Sequence, residues 1–179
     1  FSNLAIGLKK NLDNHFNEPS LFEVGPIFYG KKPGEQEVVL GGLKTGSISK
    51  KNWIEQERPI DIFDIKTEVI QSINELGIKE KDLVINNKTQ NCYHPGKSGS
   101  VNLGSENGPQ LAIFGEIHPA IIQSLDLKNN NLLGFEMFLK NFPQSSKKYR
   151  EIRGQYNVSS FQKTERDFAF IIDKKFNSD

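Results

Sequence analysis

Apolar residues at the start of the chain fall three or four apart: Phe1, Leu4, Leu8, Leu12 and Phe16, with Lys9, Lys10 and Asp13 between them. That spacing predicts an amphipathic helix, and Pro19 ends it because proline lacks an amide hydrogen and clashes with the preceding turn. The period then shortens to two. Residues 21–28 (LFEVGPIF) predict a strand with Phe22, Val24 and Phe28 on one face, and Pro26 marks that strand as an edge or an end. After a turn at Lys32-Pro33-Gly34, residues 37–46 predict a second strand, whose nearly unbroken apolar run fits coverage of both faces. The helical period returns at 61–77, where Ile62, Ile65, Val69, Ile73 and Leu76 form one stripe. Asp61 stands where it can accept the first backbone N–H groups, Asp64 adds favourable charge to the first turn, and Gly77 supplies a left-handed stop.

Short strands follow at 82–86, 98–103 and 110–117, the last two joined by a Gly-, Asn- and Ser-rich loop at 104–109. His118-Pro119 opens a short helix to Leu125, with proline at the first helical position, where a missing N–H is harmless. A turn at 129–131 precedes a strand at 132–139. From 143 to 155 the chain is polar and basic, as in a linker, and RDFAFIID (166–173) alternates like the first strand of another domain. Strands joined by short loops, with few helices, give an α+β fold with a mostly antiparallel sheet. Gly41, Gly42, Gly115 and Gly134 lie inside predicted strands, so something approaches the backbone there; a helix packed across the sheet is favoured over a bound ligand.

Composition narrows the function classes. The 179 residues are 36% hydrophobic and 25% charged, enough for an ordinary core. No apolar run approaches the roughly 20 residues that cross a bilayer, so no membrane association is expected. The single cysteine, Cys92, forms no internal disulfide, which fits a cytoplasmic location. The only methionine is Met137, and both ends read as cut from a longer chain. With 23 basic and 22 acidic residues there is no global field to hold nucleic acid, so any RNA contact must be local. The one basic cluster interleaved with aromatics is Lys147, Lys148, Tyr149, Arg150 and Arg153, followed by Tyr156; a solvated linker is favoured there, and these are the candidate residues for any tRNA contact.

Enzymatic motifs are scarce. There is no phosphate-binding loop ending in Lys-Ser or Lys-Thr and no Gly-x-Ser-x-Gly elbow. Cys92 and His94 stand two apart, on one face if both are in a strand, but no further ligands at suitable spacing follow, so no metal site is expected. His94 and His118 each precede proline; capping a turn is favoured over binding an anion, with Lys97 beside the first. Glu23, Glu116 and Glu136 on the strands are read as partner-facing or paired with lysines.

Several stretches together resemble the bacterial phenylalanyl-tRNA synthetase β-subunit. They are Leu21-Phe22-Glu23-Val24-Gly25 with Phe28, Gly41-Gly42-Leu43 with Thr45-Gly46, and Asp61 to Lys66. Then come His94-Pro95-Gly96-Lys97-Ser98, Gly115-Glu116-Ile117-His118-Pro119, Phe135-Glu136, and Phe161 with Arg166-Asp167-Phe168-Ala169-Phe170. Their order over nearly the whole chain carries the match. The resemblance implies a C-terminal, catalytic-like module of that subunit at 1–145: a class II aminoacyl-tRNA synthetase-like antiparallel sheet flanked by helices. It further implies a linker at 146–160 and, at 161–179, the truncated start of a ferredoxin-like anticodon-binding domain. The implied partners are the α-subunit in an (αβ)₂ enzyme and tRNA(Phe), with ATP and Mg²⁺ used by the holoenzyme and no cofactor in this segment. Pro26 departs from the arginine usual in the family, Gln162 from the proline usual after Phe161, and Glu165 from a basic residue.

Amino-acid activation places negative charge on transferring phosphates, which arginine neutralises with a two-pronged fork. The only arginines are Arg58, Arg150, Arg153 and Arg166, none in the strands predicted at 21–28, 37–46, 110–117 or 132–139. Arg58 is expected in a loop. Lysine does not reproduce the fork. The expected role is therefore a non-catalytic structural and assembly module of a phenylalanine–tRNA ligase. The alternatives are a stand-alone adenylate-forming ligase of the biotin or lipoate ligase-like class, or an RNA-binding module using the 147–156 cluster.

Overall fold

The computed structural model describes residues 2–16, 18–48, the backbone of 49, and residues 53–54, 56–127, 131–143, 161, 166–171, 173 and 175. The chain divides into two compact units, Phe1–Ser145 and Ser146–Asp179.

In the first unit the predicted periods become helix α1 (Ser2–Asp13), strands β1 (Ser20–Phe28), β2 (Gln36–Thr45), β3 (Ser47–Ser49) and β4 (Arg58–Pro59), and helix α2 (Ile62–Glu75). There follow β5 (Leu83–Asn86), β6 (Tyr93–Leu103), β7 (Gln110–Ile117), α3 (Pro119–Ser124) and β8 (Leu132–Phe138). Six strands form one sheet in the order β1-β2-β8-β7-β6-β5, every neighbour antiparallel; β3 and β4 make a separate small ladder. The fold is α+β, as expected.

Because side chains alternate across a strand, the register assigns each one to a face. On one face Val101, Ala112, Phe114, Leu133 and Met137 meet Ile65, Val69 and Ile73 of α2. On the other, Val39, Leu43, Ile113, Ile117, Leu132 and Phe138 meet Ala5 and Leu8 of α1 and Ile122 of α3. Ile65, Val69 and Ile73 are at most 1% exposed, so each contributes about 1.5–3 kcal/mol by leaving water. Asp61 caps α2, accepting from the backbone of Phe63 (2.8 Å) and Asp64 (3.1 Å) while the Asp64 carboxylate accepts from Asp61 N–H (2.8 Å). Gly77, at φ 94°, ends the helix.

Some elements differ from expectation. α1 stops at Asp13 because the chain reverses through His15 at φ 66°, leaving Phe16 64% exposed. The strand expected at 98–103 starts at Tyr93; Pro95 hides its first half, and the register with β7 shifts between Tyr93 and Ser98. Arg58, expected in a loop, lies in β4. Residues 166–171, expected as a strand, carry no strand ladder among the described residues, and Phe168, Phe170 and Ile171 are exposed. Alternation states only which side each residue faces; a strand also needs a neighbour to take its N–H and C=O groups. The predicted turn at 129–131 lies outside the described residues except for Asn131. Its side chain donates to Ile60 C=O (2.6 Å), and the Asn131 backbone C=O accepts from Thr45 Oγ1 (2.7 Å).

The strand glycines serve cross-strand packing more than helix packing. Gly42 faces Phe135 in register, and a Cβ there would sit 2.2 Å from the Phe135 ring; at Gly115 a Cβ would sit 2.4 Å from that of Ser98. Only Gly41 borders a helix, at 3.7 Å from Leu4 of α1. The expected helix contact is thus right at one position and wrong at the other three, because the pleat already brings an opposing side chain over the bare backbone. Gly42→Ala is expected to displace the Phe135 ring and destabilise the fold by about 1–3 kcal/mol, measured as a lower urea midpoint with unchanged slope; an unchanged midpoint would mean the ring moves aside freely.

Candidate functional site

An open cleft of about 390 Å³ lies between the first turn of α1 and the sheet, with Ser2, Asn3 and Leu4 above strands β1, β2 and β8. Register builds its floor: Glu23 pairs with Gly41, and Gly41 with Glu136, so three strands present carboxylate, bare backbone and carboxylate in a row. The two outer strands of such a row are about 9–10 Å apart. Glu23 is exposed and Glu136 half-buried, and neither accepts a hydrogen bond from a described residue. Burial holds the Glu136 carboxyl above the ordinary carboxylate range. Among the described residues no lysine, arginine or histidine lines the cleft.

This arrangement repels anions. A transferring phosphate needs cations where its charge develops, and the charged groups that line this cleft among the described residues are carboxylates. Among the described residues no arginine lies on the six-stranded sheet. Arg58 is spent on the cap of α2, bonding Asp61 (2.9 Å) and Asp64 (2.6 Å). The Arg58 hydrogen bond is the main reason the Asp64 carboxyl sits below its usual range.

The other singled-out residues are accounted for locally. His94 Nδ1 accepts from Gly96 N–H at 3.1 Å and His118 Nδ1 from Ala120 N–H at 3.2 Å, so both imidazoles cap turns. Lys97 bonds both oxygens of Glu116 (2.9 and 3.0 Å) and is not directed to an anion beside His94. Of the three strand glutamates, expected to face a partner or pair with lysine, Glu116 pairs with Lys97 across the strand pair, and Glu23 and Glu136 have no lysine partner among the described residues. Cys92 and His94 do not share a strand face: Cys92 precedes β6 with its Sγ 3.9 Å from Gln90, and burial, then the Glu136 charge, raise its thiol. No group of three or more His, Cys, Asp or Glu suited to a metal occurs among the described residues. Lys147, Lys148, Tyr149, Arg150 and Arg153 lie outside the described residues.

One apolar face was legible in the sequence only as a face, not as an uncovered one. Phe22, Val24 and Phe28 of β1 and Val38 of β2 are 73%, 56%, 70% and 49% exposed. They lie on the α2 face of the sheet but to one side of α2. The alternation of β1 assigned them to one face, but nothing in it said that α2 stops short.

The family described as phenylalanyl tRNA synthetase beta chain CLM domain matches residues 1–139, ending just past β8. The phenylalanine–tRNA ligase beta subunit of Rhodospirillum rubrum is 36% identical over 171 residues, covering 96% of this chain and 21% of that protein. The one from Bartonella quintana is 35% identical over 179 residues, covering 98% of this chain and 22% of that protein; that of Paramagnetospirillum magneticum is 33% identical over 171, covering 96% and 21%. The chain spans about a fifth of the length of these relatives. The matches give the family and not a C-terminal position within the longer proteins.

Glu136 yields a pH prediction. Its raised carboxyl keeps a proton in the folded chain at pH values where the unfolded chain has lost it, so stability falls as pH rises from the ordinary value of 4.5 through the folded one. Glu136→Gln is expected to flatten that fall and to leave the protein more stable than the parent at neutral pH. Urea midpoints from acid to neutral pH measure it; parallel curves for the two proteins would show that Glu136 carries no burial penalty.

Proposed function

Because the chain belongs to the phenylalanyl-tRNA synthetase β-chain family, we propose that it is a structural and assembly module of a phenylalanine–tRNA ligase β-subunit. In this reading the α-subunit carries out ATP-dependent phenylalanylation of tRNA(Phe), and this segment supports it without reacting. The carrying observation is the row Glu23–Gly41–Glu136: among the described residues the floor of the cleft carries two carboxylates and no cationic side chain. The residues present do not fit ATP, whose phosphates need cations; ATP and Mg²⁺ are assigned to the α-subunit, and no chemical step runs through this cleft. The same row disfavours a stand-alone adenylate-forming ligase.

The six-stranded antiparallel sheet with helices on both faces supports a class II synthetase-like, catalytic-like module at 1–145. Residues 146–160 then act as a linker and 161–179 begin a ferredoxin-like domain. Lys147, Lys148, Arg150 and Arg153 hold tRNA phosphates and Tyr149 stacks beside them. The assembly is an (αβ)₂ enzyme of the cytoplasm; no described helix is long and apolar enough to cross a membrane.

Two measurements check this. In the assembled enzyme, Glu23→Gln with Glu136→Gln is expected to leave phenylalanylation within about twofold of the parent, because neither carboxylate stabilises a transition state; a hundredfold loss, or failure of the parent β-subunit to bind α at all, would overturn the assembly role. Replacing Lys147, Lys148, Arg150 and Arg153 with alanine should raise the KM for tRNA and lower the salt slope of binding by about one for each phosphate no longer held. An unchanged slope would remove the cluster from the tRNA path.

A further inference from the structure

The apolar strip on β1 and β2 has a definite shape. Register puts Phe22, Val24, Pro26 and Phe28 beside Gly42, Leu40, Val38 and Gln36, on the face where Leu40 continues into Met137 and Ala112 beneath α2. α2 covers β7 and β8, and its Glu68 reaches Lys44 of β2 at the margin, where Lys44 is the strip's one charged residue and is already paired. Beyond that margin the face is open, with Phe22, Val24, Phe28 and Val38 half to three-quarters exposed.

Its free edge is a poor template for another strand. Thr45 N–H bonds Pro19 C=O and Tyr29 N–H bonds Glu35 C=O, so the odd residues of β1 turn their peptide groups toward β2. The even residues point theirs outward, and Pro26 among them has no N–H to offer. The face remains. It is two strands wide, about 10 Å, the diameter of one helix. From Phe22 to Phe28 it runs about 20 Å, the length of a helix of some 13 residues.

Resting on the reading of this chain as a segment of a longer β-subunit, we propose that a helix from elsewhere in the same β polypeptide packs across β1 and β2, alongside α2. The relatives are about five times the length of the matched segment, so most of the polypeptide is tethered to this face, where a linked helix acts at millimolar effective concentration. Apart from Lys44 at its margin, already paired with Glu68, the strip offers no charge among the described residues to steer a free partner, the composition of a permanent contact. A face of this kind left in water is an aggregation hazard for any chain that must exist before its partner arrives.

The test uses the full-length β-subunit, alone and with the α-subunit. Val24→Cys and Val38→Cys are alkylated with iodoacetamide and read by peptide mass, against the same proteins unfolded in urea. Hydroxyl-radical footprinting of Phe22 and Phe28 in unsubstituted β gives the same readout without a substitution. The expected result is labelling at least about tenfold slower than in the unfolded chain, in β alone, unchanged by α and by dilution. Fast labelling in β alone overturns the proposal, whether α then protects the strip or nothing does; protection that disappears on dilution overturns it in favour of a second copy. Phenylalanylation by the same preparations is scored separately, and inactivity of unsubstituted β with α sinks the functional reading while leaving the labelling result to stand.

Discussion

The register of β2 between β1 and β8 is the constraint on which the rest of this fold depends. Gly41 pairs with Glu23 and Glu136, and Gly42 with Phe22 and Phe135. A slip of one residue would turn Val39 and Leu43 out of the α1 core and drive Lys44 into it. The paired glycines help fix the register because Phe135 has room only over Gly42. The same pairing decides which side chains reach the cleft and which the apolar strip.

The two faces have opposite chemistry. Under α1 the floor is acidic and half-buried, with Glu136 held above its ordinary range by burial. Beside α2 it is apolar and open. An enzyme that transfers phosphate-bearing groups needs cations at its floor, and a scaffold needs surfaces that other elements cover; this sheet has the second property. The arginine that is present near the sheet, Arg58, serves the start of α2. Its guanidinium stiffens a cap and is not free for a ligand.

Family membership and physical reading meet at this point. Relatives named as phenylalanine–tRNA ligase beta subunits match nearly the whole chain, while the chain matches about a fifth of each of them. A segment of that kind has no obligation to close every surface by itself. In the proposed reading the exposed strip is the surface that the rest of a longer polypeptide completes.

By itself the sequence determined what local forces determine: the stripe and caps of α2, the turn-capping histidines, the edge character of β1 through Pro26, the alternation that sorts each strand into two sides, and the shortage of arginine. Those are interactions between residues a few positions apart, or plain inventory. Strand order, the pairing of Gly42 with Phe135, the burial of Glu136, the attachment of Lys97 to Glu116, the tie of Asn131 to Thr45 and Ile60, and the reach of α2 across only part of its face were decided by tertiary structure. Each joins residues far apart in the chain, and periodicity says which side a residue faces but not what stands opposite. The same limit applies to the strand expected at 166–173: alternation assigns sides, and no ladder partner for it lies among the described residues.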